Sequence, residues 1–423
     1  MLLICCGAAC LVILSLLRRK NRKTLALILT CLLLLAHLGD LALGAWYTLT
    51  FQLTLSESAS GFAAQYTETK AALEAIPGGT DGFFRIENEA PRSENDSFQH
   101  GYMGVTAYSS AQNMPSQVFM VNLGYNDNGF NTRFTTRNTI ASQSILGVRY
   151  LLQKKDGQLI VTENPSALPV LFATDLTADE LTAKAEEGQP AANPFVFQEH
   201  FLSACTGEDV QVFREVPCTE EADEEGITCS LSVPSDGRIY FYMEGISDRT
   251  QDLGLYLGKE RISGYGNRSA MDVVCLGEFQ TGNKAMIRIQ DDSGSEEPPV
   301  LGRAVFVQED LEALAGAASV LQAKAAAVRE KAQDRLVVQA EGGNALVLTF
   351  PEDPGWEVLV DGKAVTPLPF FGAYMAVPLP DASAHEVKLT YRPEGFLPGC
   401  ALTAVLCVLF LLQVRACRKR TGN

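Results

Sequence analysis

The stretch Leu17-Arg18-Arg19-Lys20-Asn21-Arg22-Lys23-Thr24-Leu25-Ala26-Leu27-Ile28-Leu29 decides the fold, because it sets five cations between two apolar runs. Upstream, Met1 to Leu17 is apolar; downstream, Thr24 to about Trp46 is apolar again. A spanning helix needs about 20 apolar residues, so the downstream run suffices and the upstream one is marginal. A third run, Pro398 to Val414, ends in Arg415, Arg418, Lys419 and Arg420. Cationic loops stay in the cytoplasm, so both basic clusters point to one topology. Three transmembrane helices are expected (1–17, 24–46, 398–414), with a cytoplasmic loop at 18–23, a cytoplasmic tail at 415–423, and the long segment between the second and third helices outside. That is a multi-pass protein of the cell membrane whose first partner is the lipid bilayer. A signal peptide would carry its charge before the apolar run, whereas here Met1 opens it directly. The first helix therefore reads as one entered part-way, in a chain that begins within a larger membrane protein.

Of the 34 basic residues nine lie in the two clusters, while Asp40 alone among the 50 acidic residues lies in an apolar run. The exterior is thus strongly acidic. Such a field repels nucleic acid and disfavours anionic lipid or polymer. Seven of the eleven cysteines (Cys5, Cys6, Cys10, Cys31, Cys400, Cys407, Cys417) lie in or beside the apolar runs, where cysteine acts as a small apolar residue. The other four, Cys205, Cys218, Cys229 and Cys275, show no C-x-x-C spacing and no adjacent histidine, which argues against zinc. Disulfides in an oxidising compartment and buried free thiols are both open to them.

The exterior reads as an α+β assembly in three parts. Residues 47–218 form a mixed α/β domain. Its signals are a helix over Ala63 to Ile76 stopped by Pro77-Gly78-Gly79, a strand at Phe83 to Ile86, and a short helix from Ser142 that passes Gly147 into a buried strand ending at Leu152. An acidic linker, Thr219 to Gly226, follows. Residues 227–307 carry short apolar runs (Arg238 to Met243, Leu253 to Leu257, Met271 to Leu276, Ala285 to Ile289, Ala304 to Val307) divided by turn residues, the pattern of a β-sandwich. An amphipathic helix is expected over 309–335, with Leu311, Leu314, Ala318 and Leu321 on one face. A second, smaller sandwich over 336–397 uses Leu346 to Phe350, Trp356 to Val360, Ala373 to Leu379 and Glu386 to Tyr391, with Asp361-Gly362 as a tight turn accepting positive φ.

Sequence-local catalytic signatures are missing. The four histidines form no H-E-x-x-H pair, no serine sits in a G-x-S-x-G elbow, and Gly254 to Glu260 lacks the spacing and hydroxyl of a phosphate loop. No metal and no cofactor are expected. His37 and Asp40 stand one turn apart near the outer end of the second helix; at about 17 residues, or about 25 Å, from the basic loop, Asp40 reaches the headgroups, so interfacial solvation competes with a functional role. The densest site-like stretch is Arg85, Glu87, Asn88, Arg92, Asn95, Asp96, Tyr102, Tyr108, Ser109 and Ser110. Arginine forks, amides and aromatic faces suit carbohydrate or phosphate; the same groups can equally hold irregular loops together. Trp356 could stack on a sugar ring, but Pro-Gly-Trp opening a strand is more often core packing.

The blocks Phe84-Arg85-Ile86-Glu87, Asn95-Asp96-Ser97, Gly101-Tyr102-Met103-Gly104, Tyr108-Ser109-Ser110, Leu146-Gly147-Val148-Arg149-Tyr150, Asn164 to Pro169, Asn193-Pro194-Phe195, Pro354-Gly355-Trp356, Val360-Asp361-Gly362-Lys363, Gly372-Ala373 and Tyr391 to Phe396 occur in an order that resembles the YfhO family of bacterial multi-pass membrane proteins. That resemblance covers almost the whole chain and implies a glycosyltransferase of the GT-C type. Such an enzyme moves a sugar from a polyprenyl-phosphate carrier to a cell-envelope polymer of the teichoic acid kind. The resemblance also places the family's catalytic acid in an early outside loop this sequence lacks, so no catalytic residue is carried over. Where the family tends to have Asp or Glu followed by Asn at the end of the helix before the domain, Asp40 fits and Gly44 departs. Arg85, Glu87, Asn95, Asp96, Tyr108, Ser109, Arg149 and Trp356 remain the substrate-binding candidates, with His37 and Asp40 at the membrane edge. The competing reading is a non-enzymatic, membrane-anchored protein that binds carbohydrate or assists envelope assembly.

Overall fold

A computed structural model of the chain describes residues 23–52, 59–108, 113–125, 138–185, 193–245, 250–267, 273–294 and 299–421. The upstream apolar run, the loop residues 18–22, Ser109 and Ser110 lie outside them. The chain divides into two compact units, 1–68 and 69–423.

In the first unit, helix α1 (Lys23–Gln52) runs for 30 residues. It exposes Leu27, Leu32, Leu35, Leu38 and Leu41, and carries His37 and Asp40. Apolar side chains thus make up much of its exposed surface. The next helix, α2 (Ala59–Glu74), ends where Gly78 and Gly79 take positive φ.

The second unit begins at the end of α2, whose Ala72 and Leu73 pack, with Ile76, on Ile86, Tyr102, Tyr150 and Leu152. Strand β1 (Arg85–Asn88) is followed by α3 (Asp96–His100), α4 (Met114–Asn122) and α5 (Ile140–Ile145). Helix α5 starts on Thr139, whose hydroxyl accepts from Ser142 N at 3.1 Å, and stops at Gly147, φ +68°. A side chain there would place its Cβ 3.2 Å from the Leu168 carbonyl oxygen, so glycine is required for both the turn and the close approach. The chain turns directly into β2 (Val148–Lys155) and back through β3 (Gln158–Glu163). Strand β1 joins β2 in parallel and β3 joins β2 antiparallel, giving a small three-stranded sheet.

After β4 (Leu171–Thr174), α6 (Ala178–Ala185) and α7 (Pro194–Thr206), a nine-stranded sandwich forms. Its strands are β5 (Phe213–Glu215), β6 (Cys218–Ala222), β7 (Gly226–Ser232), β8 (Gly237–Glu244), β9 (Thr250–Leu257), β10 (Glu260–Asn267), β11 (Val274–Phe279), β12 (Lys284–Asp291) and β13 (Arg303–Glu309). One sheet has the order β10-β9-β12-β7-β6 and the other β11-β8-β13-β5. Between them lie Phe241, Tyr265, Phe306, Ile287 and Leu255, all essentially without solvent exposure. The sandwich starts earlier than expected, because the acidic stretch from Thr219 is not a linker. It is edge strand β6 and a turn in which the Asp223 carboxylate accepts from Glu225 N and Gly226 N, both at 3.0 Å. Charge is tolerated there because an edge strand has solvent on one side.

The amphipathic helix is shorter than expected. Helix α8 (Leu311–Ala323) starts on Asp310, which accepts from Glu312 N and Ala313 N, and buries Leu314, Ala317, Ala318 and Leu321 while Leu311 stays exposed. Its alanine-rich continuation is captured instead by β4: Ala173 N donates to Lys324 O (2.9 Å) and Ala326 N to Leu171 O (3.0 Å). Tertiary pairing thus overrides helix propensity, and residues assigned to the helix form β14 (Ala327–Lys331) and the start of β15 (Arg335–Ala340).

The remaining strands are β16 (Ala345–Pro351), β17 (Trp356–Val360), β18 (Lys363–Val365), β19 (Leu368–Phe370), β20 (Tyr374–Pro378) and β21 (His385–Tyr391). Asp361 (φ 49°) and Gly362 (φ 77°) make the expected hairpin turn. These strands build the sheets β14-β15-β21-β17-β18 and β19-β20-β16-β4. The second sheet borrows β4, with Ala345 opposite Thr174 and Leu348 opposite Leu171. The mixed α/β region and the C-terminal sandwich therefore share one sheet. They also share one core, in which Phe119 and Phe201 meet Leu314, Phe370 and Tyr374. The chain ends in α9 (Phe396–Thr421). Within it Phe396–Gln413 is the one stretch among the described residues that qualifies as a membrane span by length and apolarity. The broad α+β architecture with several antiparallel sheets stands, and one of the three expected spans is identified.

Candidate functional site

The polar residues singled out around 85–108 mostly face inward. Arg85, at the start of β1, donates from Nη1 to Leu146 O (2.6 Å) and Thr349 Oγ1 (2.8 Å), and from Nη2 to Thr349 O. It bolts the three-stranded sheet to β16, and burial pulls its pKa down. Glu87 is buried and accepts from Val105 N (2.7 Å) and Thr106 N (3.3 Å); burial pushes its pKa up against those two bonds. Asp96 accepts from Asn88 Nδ2 (2.9 Å) and Tyr102 Oη (3.2 Å), and Asn95 Oδ1 accepts from Tyr108 N (2.9 Å). The bonds to Glu87 and Asp96 satisfy groups that would otherwise be buried unpaired, while the Asn95–Tyr108 bond lies at the surface. Of this set, among the described residues, Arg92 and Tyr108 are exposed, Tyr108 by about half.

Arg149 behaves differently. In β2 the alternation that buries Val148 and Tyr150 turns Arg149 outward. Its Nε and Nη2 donate to Glu163 Oε1 at 3.2 and 3.1 Å, and its guanidinium lies 5.8 Å from the Phe84 ring centroid and 5.6 Å from that of Tyr150. The two rings meet edge to face at 5.1 Å. Both Arg149 and Glu163 keep about half of their side-chain surface in solvent. They border a cleft of about 540 Å³, which Phe83, Phe84, Asn164 and Gln322 also line. Its far wall is stapled. Gln322 donates from Nε2 to Pro165 O (2.8 Å) and Ala167 O (3.0 Å), and Asn164 donates to Ser144 Oγ and Val148 O. An open arginine and carboxylate over aromatic edges, on a wall held by backbone bonds, can receive a polyhydroxyl or phosphate-bearing ligand with little rearrangement. Glu163 is the one carboxylate on this lining, too few to hold a metal ion.

Trp356 does not offer a free face. Its ring packs between Phe350 (5.9 Å) and Tyr391 (4.9 Å) at the edge of the C-terminal core. His37 and Asp40 lie on α1 in the other unit. So Arg149 alone of the nine candidates among the described residues borders the open cleft; Ser109 falls outside them.

Sequence reasoning missed Glu309. At the end of β13 it accepts from Ala141 N (2.6 Å) and Ile140 N (3.0 Å), and burial pushes its carboxyl up to about 7. It borders a second cleft of about 430 Å³. The charges there are spent on one another, Arg214 on Asp310 and Arg238 on Glu278. No local signal marks Glu309, because its partners lie about 170 residues upstream.

Comparison with known proteins gives one extensive match. Curated protein sequences give none. Among solved structures, arabinofuranosyltransferase AftD from Mycobacteria (mutant R1389S) is 18% identical over 41% of this chain and 14% of its own, at a TM-score of 0.17. A second AftD structure is 13% identical over 47% and 23%, at 0.16. Ruminococcus gnavus β-glucuronidase is 10% identical over 41% and 34%, at 0.16. This chain therefore spans well under two thirds of each, and none superposes on it as a whole. The model of the bacterial membrane protein YfhO, by contrast, matches residues 1–403, nearly end to end and across the ordered blocks that hold the cleft. The chain belongs to the YfhO family of bacterial membrane proteins.

Proposed function

We propose that the protein acts in glycosyl transfer at the outer face of the cell membrane, from a polyprenyl-phosphate-linked sugar to a cell-envelope polymer of the teichoic acid type. In this reading the β-rich exterior binds the carbohydrate at the Arg149 cleft, held to the bilayer by α1 and α9 with both basic clusters inside. The observation that carries it is the open Arg149–Glu163 pair over Phe84 and Tyr150 in a chain of this family. A ring such as that of Phe84 in the cleft lining suits the apolar face of a sugar, and a half-exposed guanidinium suits hydroxyls and supplies local positive charge for a phosphodiester on an otherwise acidic exterior. No residue described here is assigned as catalytic acid or base; the exterior positions, and the transfer step belongs to groups near the lipid carrier.

The test compares membranes from cells with and without the protein, supplied with radiolabelled polyprenyl-phosphate sugar and polymer acceptor. Label entering the polymer should depend on the protein and fall with Arg149→Ala at unchanged membrane level. Protein-independent labelling with retained glycan binding would replace this reading by a non-enzymatic carbohydrate-binding role.

A further inference from the structure

We propose that Cys218, Glu220 and Cys229 form a binding site for a zinc-class cation, two thiolates and one carboxylate holding it at the edge of the sandwich. Strands β6 and β7 pair antiparallel with Cys218 opposite Leu231 and Glu220 opposite Cys229, which sets the two cysteines diagonally across one pair of strands. Their sulfurs and the Glu220 carboxylate all lie within 4.8 Å of one another, with Cys218 Sγ 3.9 Å from Glu220 Oε1. Tetrahedral zinc with bonds of about 2.3 Å to sulfur and about 2.0 Å to oxygen needs sulfurs about 3.8 Å apart and sulfur to oxygen about 3.5 Å. Along the Cys218–Glu220 edge the arrangement is therefore a few tenths of an ångström from a coordination shell.

Three further features select the ion and its access. Two sulfur donors favour a thiophilic d10 cation over magnesium or calcium, which take oxygen ligands. Strand β6 is the outer strand of its sheet, Cys229 is buried in the sandwich core with Cys218 packed against that core, and Glu220 is exposed, so the ion would sit at the rim of the core with Glu220 on its solvent side. Glu221 on the same strand and Glu224 and Glu225 in the turn that follows add negative charge beside it, Asp223 being paired with Arg288, a local acidic field that concentrates cations. A disulfide would use the two sulfurs and leave the adjoining carboxylate without purpose. On binding, each thiol releases its proton to solvent and the sulfur lone pair bonds the metal, with no change of oxidation state. The ion would clip the edge strand to its neighbour. The spacing of these residues resembles no zinc motif because cross-strand register, not local sequence, brings them together.

The experiment titrates the full chain, purified in detergent, reduced and stripped by chelator, with Cd²⁺ as a spectroscopic stand-in. The thiolate-to-cadmium absorption should saturate at one ion per chain above the level of C218S/C229S, which keeps every other cysteine, and Zn²⁺ should displace it while Mg²⁺ does not. C218S alone, at the half-exposed position, should abolish the band without loss of folded signal, and E220Q should weaken affinity about tenfold or more. The proposal is overturned if the double variant gives the wild-type band, if E220Q binds as wild type, or if the unreduced chain carries a Cys218–Cys229 disulfide and takes up no ion after reduction.

Discussion

Arg85 and Arg149 come from neighbouring strands of the same three-stranded sheet, and they serve opposite ends. Arg85 gives its guanidinium to the backbone and side chain of Thr349 and to Leu146 O, closing the seam between the sheet and β16. Arg149 holds one oxygen of Glu163, keeps about half of its side-chain surface in solvent and looks into a cleft. The same division holds for the acids: Glu87 caps two backbone amides, while Glu163 is half exposed. Polar residue type says what a side chain can bind; only the partner geometry says whether that capacity is already used.

The widest contrast comes from removing each arginine. Arg85→Met leaves the Thr349 and Leu146 carbonyls without their donor in a buried seam, a loss of about 3 kcal/mol or more; thermal unfolding of the full chain in detergent should show it. Arg149→Ala breaks an exposed pair and should cost less than about 1 kcal/mol. Equal losses would erase the distinction.

Next is a pH effect. The Glu309 carboxyl rises from 4.5 to about 7 on folding, so the folded chain holds a proton that the unfolded chain has released. Stability therefore falls as pH rises through about 4.5 to 7. Glu89, pushed up to about 7 by burial, acts in the same direction. Glu309→Gln should flatten the Glu309 share of that slope, on the order of 2 kcal/mol, less than the full displacement would give because the carboxyl borders an open cleft. An unchanged pH–Tm curve would contradict the assignment.

The smallest effect has the reverse sign. His385 donates toward Asp361 Oδ2 (2.6 Å) and sits 3.2 Å from Asp381 Oδ1, and chiefly Asp361 raises its pKa above 6.5. This clip between two turns is fully present below pH 6.5 and is lost as pH rises through the raised value. Both aspartates are largely exposed, so Tm should drop by only about 1–2 °C across that range, and His385→Gln should remove the drop.

Much of the fold was legible in the sequence because local rules and tertiary structure agree there. The run from Ser142 through Gly147 into β2, the Asp361-Gly362 turn and the apolar strands β8, β12, β16 and β21 all follow from period, breaker and turn chemistry. What failed depends on distant partners. Strand β4 is a four-residue run buried on both faces that finds its neighbour in β16; β14 was hidden in an alanine-rich stretch with helical propensity; β6 was hidden by its charges. The candidate site divided for the same reason. Arg149 could be named from an ordered motif, but nothing local separated it from Arg85, Glu87 or Asp96, whose partners are backbone groups supplied by other segments. Glu309 and the Cys218–Cys229 pair gave no signal, being assembled entirely by register and packing.

The most direct measurement is binding of a soluble teichoic-acid-type glycan to the full chain in nanodiscs, for wild type, Arg149→Ala and Arg85→Met, at a temperature where all three are folded. Wild type should bind saturably, Arg149→Ala about tenfold to a hundredfold more weakly, as expected for loss of a charge-assisted contact, and Arg85→Met as wild type. Undiminished binding by Arg149→Ala, or loss confined to Arg85→Met, would contradict the role given to Arg149.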